Sequence, residues 1–258
     1  MKLLQRITLI LFGVSLLLFL GSKTYHHFLV DDKAPVLTMD SDTVEMRLGD
    51  TQEALLRGVR ASDNKDGDLT DQIIVQGVTK LIGENTARVT YIVFDNANNM
   101  ATCSRTVRYT DYEKPHFFMN QAAVYPVNGP VVLLDRLHAT DVVDGDISGN
   151  VRIVSQNVNM REPGLYSVTA QVSNSLGDMD TVTLKVVITE NTEPPVLTLQ
   201  DYILYLNVGD TFDPTAGITA PDAAEVAVEH EVDTATPGIY HVMYTYGPDT
   251  VWQTVVVH

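Results

Sequence analysis

The chain has 258 residues, with 17 Lys and Arg against 33 Asp and Glu and a formal net charge of −16. Phosphate neutralisation needs clustered Lys and Arg, so the acidic balance excludes a nucleic-acid binder. A single Cys excludes an intrachain disulfide framework, and no Cys–His spacing points to structural zinc.

The first element is apolar. Ile7 to Gly21 carries no charge. Begun at Leu3, with Arg6 snorkelling, the run reaches the ~17–25 residues that a membrane-spanning helix needs. Lys2 and Arg6 precede it and only Lys23 follows closely, so the positive-inside bias places residues after 22 outside the cytoplasm. A cleaved signal peptide is the alternative. Its small-x-small cleavage pattern is missing, because Phe19 or Leu20 would occupy the −3 position, and this favours an uncleaved anchor. Residues 1–30 hold Lys2, Arg6, Lys23 and no acid, so residues 31–258 carry 14 basic against 33 acidic side chains, or −19. His26 and His27 fall just beyond the run, near headgroup level.

Three repeats follow. Pro35, Pro115 and Pro195 each open a Pro-x-hydrophobic segment and lie 80 residues apart. Asp63 to Thr70 reappears as Asp141 to Ser148, and Pro163-Gly164-Leu165-Tyr166 reappears as Pro237-Gly238-Ile239-Tyr240. Each repeat reads as short β-strands such as Arg88 to Phe94, Tyr166 to Val172 and Thr181 to Ile188, rich in β-branched and aromatic residues. Turns at Asp66-Gly67, Asp144-Gly145 and Gly247-Pro248-Asp249 separate them. Six or seven strands in 65–80 residues is the size of a small immunoglobulin-like sandwich. The expected fold is all-β: three tandem immunoglobulin-like β-sandwiches after an N-terminal transmembrane helix. The boundaries are 1–33 for cytoplasmic stub, anchor and juxtamembrane linker, then 34–111, 112–191 and a divergent 192–258. Pro-bearing acidic linkers at Thr110–Pro115 and Thr189–Pro195 predict an extended, stiff array.

The motif order in the first repeat carries a family resemblance. Leu48-Gly49-Asp50, Ala61 through Asp-Gly-Asp to Thr70, and Tyr91 to Asn99 resemble the bacterial immunoglobulin-like domain known from a pesticidal crystal protein, and are similar to hyalin-type repeats. The second repeat keeps Ala139 to Ser148. The third keeps Val208-Gly209-Asp210 and lacks the Asp-Gly-Asp turn. The resemblance implies extracellular modules that act as spacers or adhesive units on bacterial surfaces.

Four groups of residues are candidates for chemistry. Asp63, Asp66 and Asp68, with Asp141, Asp144 and Asp146, offer carboxylates of the kind Ca²⁺ takes, although the spacing is not that of an EF-hand. The competing and weightier reading is that these side chains cap turns by accepting from nearby backbone N–H groups. Cys103 invites a transpeptidase reading, but no His lies between His27 and His116, and its counterpart Val182 reads as an inward strand position. A core thiol is expected. The His residues do not cluster. Tyr202, Tyr205 and Trp252 form the expected contact patch on the third module, for a surface glycan or a protein. No nucleophile–base pair, P-loop or dinucleotide motif is present. The sequence therefore reads as a non-catalytic, membrane-anchored bacterial surface protein, an adhesive or spacer stalk. Binding of a glycan or protein through the third module is the alternative, and a surface enzyme is the weakest reading.

Overall fold

The computed structural model describes residues 2–29 and 31–258, with side chains described for residues 5–25 and 31–258. The side chains of Lys2, His26 and His27 lie outside the described residues. Helix α1 (Lys2–Leu29) opens the chain. Among the described residues it is the one helix long and apolar enough to cross a membrane, over Gln5–Tyr25. Its apolar side chains are exposed on every side, Leu9 and Leu17 by more than two thirds.

Apart from a short helix α2 (Gln52–Leu56) and 3-10 turns, the rest is β-structure, and the chain divides into two compact units, residues 1–111, which include α1, and 112–258. The first unit contains β1 (Val36–Met39), β2 (Thr43–Met46), β3 (Val59–Asp63), β4 (Gly67–Asp68), β5 (Ile74–Val78), β6 (Thr86–Phe94) and β7 (Met100–Tyr109). These form two sheets, ordered β1-β3-β4 and β2-β7-β6-β5. The entering strand is split: β1 pairs antiparallel with β3, while β2 crosses to the other sheet and runs parallel to β7. Asp40, Ser41 and Asp42 make the crossing, as polar turn-forming residues allow.

The second unit repeats this plan twice. Its first sandwich contains β8 (His116–Met119), β9 (Val124–Pro126), β10 (Leu137–Asp141), β11 (Gly145–Asp146), β12 (Arg152–Gln156), β13 (Gly164–Ser173) and β14 (Met179–Thr189). The sheets are β11-β10-β8 and β12-β13-β14-β9, with β9 parallel to β14. The last sandwich contains β15 (Thr198–Leu199), β16 (Ile203–Leu206), β17 (Ile218–Thr219), β18 (Ala227–His230), β19 (Gly238–Tyr246) and β20 (Asp249–Val257). Here β15 pairs with β17, and the large sheet is β16-β20-β19-β18 with β16 parallel to β20. The smaller sheet has no third strand because the Asp-Gly-Asp turn is gone. The short 3-10 turn that follows it in the first two sandwiches, at Thr70–Gln72 and Ser148–Asn150, persists here as Ala223–Glu225, capped by Asp222 through the Ala224 N–H at 3.0 Å. All three are immunoglobulin-like β-sandwiches.

Alternation builds the cores. In β6, Ala87, Val89, Tyr91 and Val93 are buried while the residues between them are not. Val182, Leu184, Val186 and Ile188 do the same in β14. Each such buried aliphatic side chain contributes about 1.5–3 kcal/mol relative to exposure. One cluster of buried side chains runs through both sandwiches of the second unit, from Phe117 to Val257 and including Leu197 just before β15, which is fully buried. Residues 189–195, the expected linker, stay exposed or half-buried beside that cluster.

Candidate functional site

The Asp-Gly-Asp turns of the first two sandwiches have the same backbone frame. Gly67 and Gly145 sit at φ +76° and +71°, a left-handed conformation that glycine adopts without the Cβ clash. Asp63 Oδ1 accepts from the N–H groups of Lys65 (2.7 Å) and Asp66 (3.1 Å). Asp141 Oδ1 accepts from Val143 (2.9 Å) and Asp144 (3.0 Å). Asp68 caps the Thr70 N–H at 2.9 Å, and Asp146 caps Ser148 at 2.9 Å. Those backbone donors hold the Asp63 carboxyl below its ordinary range, and the hydroxyls and N–H groups of Thr70 and Ser148 do so for Asp68 and Asp146. The third carboxylate of each turn grips a second loop. Asp66 accepts from the Asn96 N–H and side-chain amide at 2.9 and 2.7 Å, and Asp144 accepts from the Ser175 N–H and hydroxyl at 2.6 and 2.7 Å.

That second loop is where the turns part. Both copies close with the same pair of backbone bonds, Asp95 to Asn99 and Asn98 to Asp95 in the first, Asn174 to Asp178 and Gly177 to Asn174 in the second. Asn174 therefore corresponds to Asp95. In the second sandwich Asn174, 6% exposed, donates to Asp141 Oδ2 at 3.0 Å and to the Tyr112 hydroxyl at 2.8 Å. Tyr112 donates in turn to Asp178 at 2.9 Å. Burial and the Asp178 carboxylate push the Tyr112 phenol well above its ordinary range, so it stays a donor.

In the first sandwich a carboxylate, Asp95, stands where that amide would be. It is 5% exposed, and both its oxygens are held by Asn99, at 2.7 Å each. Asp63 Oδ2 is buried and has no hydrogen-bond partner. Where the second sandwich brings a Tyr112 hydroxyl from its entering linker, the first brings Asp31. Carboxylate oxygens of Asp31, Asp63 and Asp66 lie within 4.8 Å of one another. Asn99 ties this linker down by donating to the backbone oxygens of Asp31 and Lys33, both at 3.2 Å. Of the six expected carboxylates, then, the structure gathers only Asp63 and Asp66, and adds Asp31. Asp66 is engaged by Asn96 as Asp144 is by Ser175, and Asp68, Asp141 and Asp146 cap backbone, hydroxyl or amide donors outside this group.

The structure corrects the expected contact patch at Tyr202 and Tyr205. Tyr202 is 4% exposed and its hydroxyl accepts from the Leu199 N–H at 3.2 Å. The Tyr205 hydroxyl donates to Asp180 at 2.7 Å and accepts from the Phe117 N–H at 2.9 Å, while His116 packs on the ring at 4.3 Å between centroids. Strand β16 lies against β8, so side chains that point away from their own core cover the neighbouring sandwich instead of meeting solvent. Trp252 differs. It points away from the fully buried Val251 and is half-buried beside an open hollow of about 890 Å³ lined also by Leu165, Lys185, Tyr240 and His241.

Cys103 is half-buried, with Sγ 3.9 Å from Met39 Sδ. Burial raises its pKa, opposite to the shift that makes a thiol nucleophilic. Arg105 is not available to it: its guanidinium donates to the Tyr91 hydroxyl and to the Leu55 and Arg57 carbonyls, at 2.7–2.8 Å.

No family model matches the sequence. Pesticidal crystal protein Cry22Aa of Bacillus thuringiensis is 33% identical over 119 residues, 42% of this chain, and the chain spans only 16% of that protein's length. Among solved structures, the CBM51-2 and INT domains of Clostridium perfringens ZmpB, in complex with GlcNAc, are similar at a TM-score of 0.25 and 16% identity, covering 57% of this chain and 26% of that one. Drosophila N-cadherin EC1-4 is similar at a TM-score of 0.28 and 16% identity, covering 84% and 73%.

Proposed function

We propose that this chain is a non-catalytic protein of a bacterial cell surface, held in the membrane by α1, whose immunoglobulin-like sandwiches act outside the cytoplasm as an adhesive or spacer element. The observation that carries the reading is the exposure of α1. Its apolar side chains over Gln5–Tyr25 find no protein surface to bury against, and in water that area would be strongly unfavourable, so lipid is its natural surrounding. The basic flank Lys2 and Arg6 orients the sandwiches outward. The partial similarity to a Bacillus thuringiensis protein supports a bacterial source. A core-side thiol with a raised pKa and an Arg occupied by carbonyls support a role without catalysis.

Fractionation with mass determination of the N-terminus tests it. The expected result is a protein that resists carbonate extraction, retains residues 5–25 and is cut by external protease in the sandwich region. A soluble product lacking the first 21–25 residues would replace the anchor with a cleaved signal peptide.

A further inference from the structure

We propose that Asp31, Asp63 and Asp66 form a binding site for a divalent cation, Ca²⁺, at the edge of the first sandwich where the chain enters it. The observation beyond the three acids is the state of Asp63 Oδ2. It is fully removed from water and accepts from nothing. A buried carboxylate oxygen without a donor is strongly unfavourable unless a cation supplies the missing partner. The second sandwich acts as an internal control. There the corresponding oxygen, on Asp141, accepts from the Asn174 amide, and the linker contributes a neutral hydroxyl rather than an acid. The first sandwich exchanges the loop pair, with Asp95 and Asn99 where the second has Asn174 and Asp178, so its amide holds Asp95 and the linker backbone and no longer serves the turn. It also brings the Asp31 carboxylate where the second brings the Tyr112 hydroxyl, so one donor is lost from Asp63 and one ligand carboxylate is added.

The donor set defines the ion. All the ligand atoms are oxygens, as hard cations require, and among the described residues no thiolate or imidazole belongs to the cluster. The carboxylates come from a linker and a turn, which suits the variable coordination of Ca²⁺ better than the strict octahedron of Mg²⁺. Lys65 lends a positive charge near Asp63, and one ammonium offsets only one of three carboxylates. Asp31 lies two positions past the last residue of α1, Leu29, so a bound ion would fasten the linker to the sandwich.

The test uses the full chain in detergent micelles, stripped with a chelator and titrated with CaCl₂ to about 10 mM, since extracellular sites bind in roughly the millimolar range. Calorimetry is expected to show one saturable site, and the melting transition of the first unit is expected to rise. Asp31→Asn and Asp63→Asn should each weaken binding about tenfold or more, while Asp141→Asn leaves it unchanged. Asp63→Asn keeps the Oδ1 cap and places a donor at the orphaned position. It should melt at or above the parent in chelator and below it in Ca²⁺. Absence of heat and of any melting shift at 10 mM would overturn the proposal. So would parental affinity in the Asp31→Asn, Asp63→Asn double variant, or a single variant Asp63→Asn that melts below the parent under both conditions. Mg²⁺ binding as tightly as Ca²⁺ would overturn the choice of ion.

Discussion

The first two sandwiches repeat one turn and solve its electrostatics in opposite ways. Both hold an Asp over two backbone N–H groups, and both clamp a second loop with the acid three residues on. In the second copy, Asn174 and Tyr112 link Asp141 and Asp178 through hydrogen bonds alone. In the first, Asp95 stands in place of the amide, Asp31 brings charge of the same sign to within 4.8 Å of Asp63, and one oxygen is left over. A backbone motif that looks like a metal loop is thus not one by virtue of its Asp-Gly-Asp spacing. Its character is decided by two side chains from other segments, and by whether they donate or accept.

The sharpest way to break this comparison is to install the first copy's chemistry in the second. Asn174→Asp would set a buried carboxylate against Asp141 beside the Asp178 carboxylate. Loss of the donor and the added repulsion should cost about 2–4 kcal/mol in the absence of divalent cations. Trp252 is the only tryptophan and lies in the same unit, so its fluorescence during urea unfolding reports the loss directly. A variant as stable as the parent would mean that the Asn174 amide is not what satisfies the second turn.

Acid should separate the two units more gently. No His lies between residues 31 and 111, whereas in the second unit His116 and His241 are half-buried. His241, beside Thr254 at 3.4 Å, is pushed down to about 4 by burial and by the Lys185 charge. His116 is also lowered by burial, with His258 adding to the shift and Asp180 and Glu113 opposing it. Both values lie below the unfolded value of about 6.5. The unfolded chain therefore takes up protons first, and stability that is complete above pH 6.5 is lost as pH falls toward 4. With solvent screening of these partly exposed rings, the loss should be about 1–2 kcal/mol. Calorimetric scans at pH 7 and 5 should show the second unit's transition moving down. The first should hold its position, because its Asp63 and Asp68 carboxyls, held below their ordinary range, stay ionised in that window. His241→Gln should flatten the slope, and an unchanged slope would place the titrating group elsewhere.

The repeat spacing made the sandwiches readable, because a strand pattern such as Ala87, Val89, Tyr91, Val93 carries its own facing direction. Val251 likewise told that Trp252 points outward. Periodicity stops at the edge of a module, however. It tells which side chains leave their own core and not what they meet, so Tyr202 and Tyr205 read as surface residues although a neighbouring sandwich covers them. Asp31 was missed for a related reason: it stands 32 residues before Asp63, in a linker outside the motif. The signal that could have found the site was the exchange of Asn174 for Asp95 in aligned repeats. The exchange is reciprocal, since Asn99 stands where the second repeat has Asp178, and it looks conservative until the hydrogen-bond direction is considered.

The reverse exchange gives the smallest effect and the cleanest reading. Asp95→Asn keeps an oxygen to accept from the Asn99 N–H, as Asn174 does from Asp178 in the second sandwich. It also supplies an amide for Asp63 Oδ2. One bond to Asn99, the side-chain contact at 2.7 Å, loses its acceptor, and one bond to Asp63 is gained along with relief of charge repulsion. The net gain for the cation-free first unit should be about 1 kcal/mol. In Ca²⁺ the same change should weaken binding, because the amide satisfies the oxygen the ion would have used. Differential scanning in chelator and in Ca²⁺ reads both signs from one variant. A gain that persists undiminished in Ca²⁺ would show that no ion uses Asp63 Oδ2. That result would return the first turn to the same class as the second.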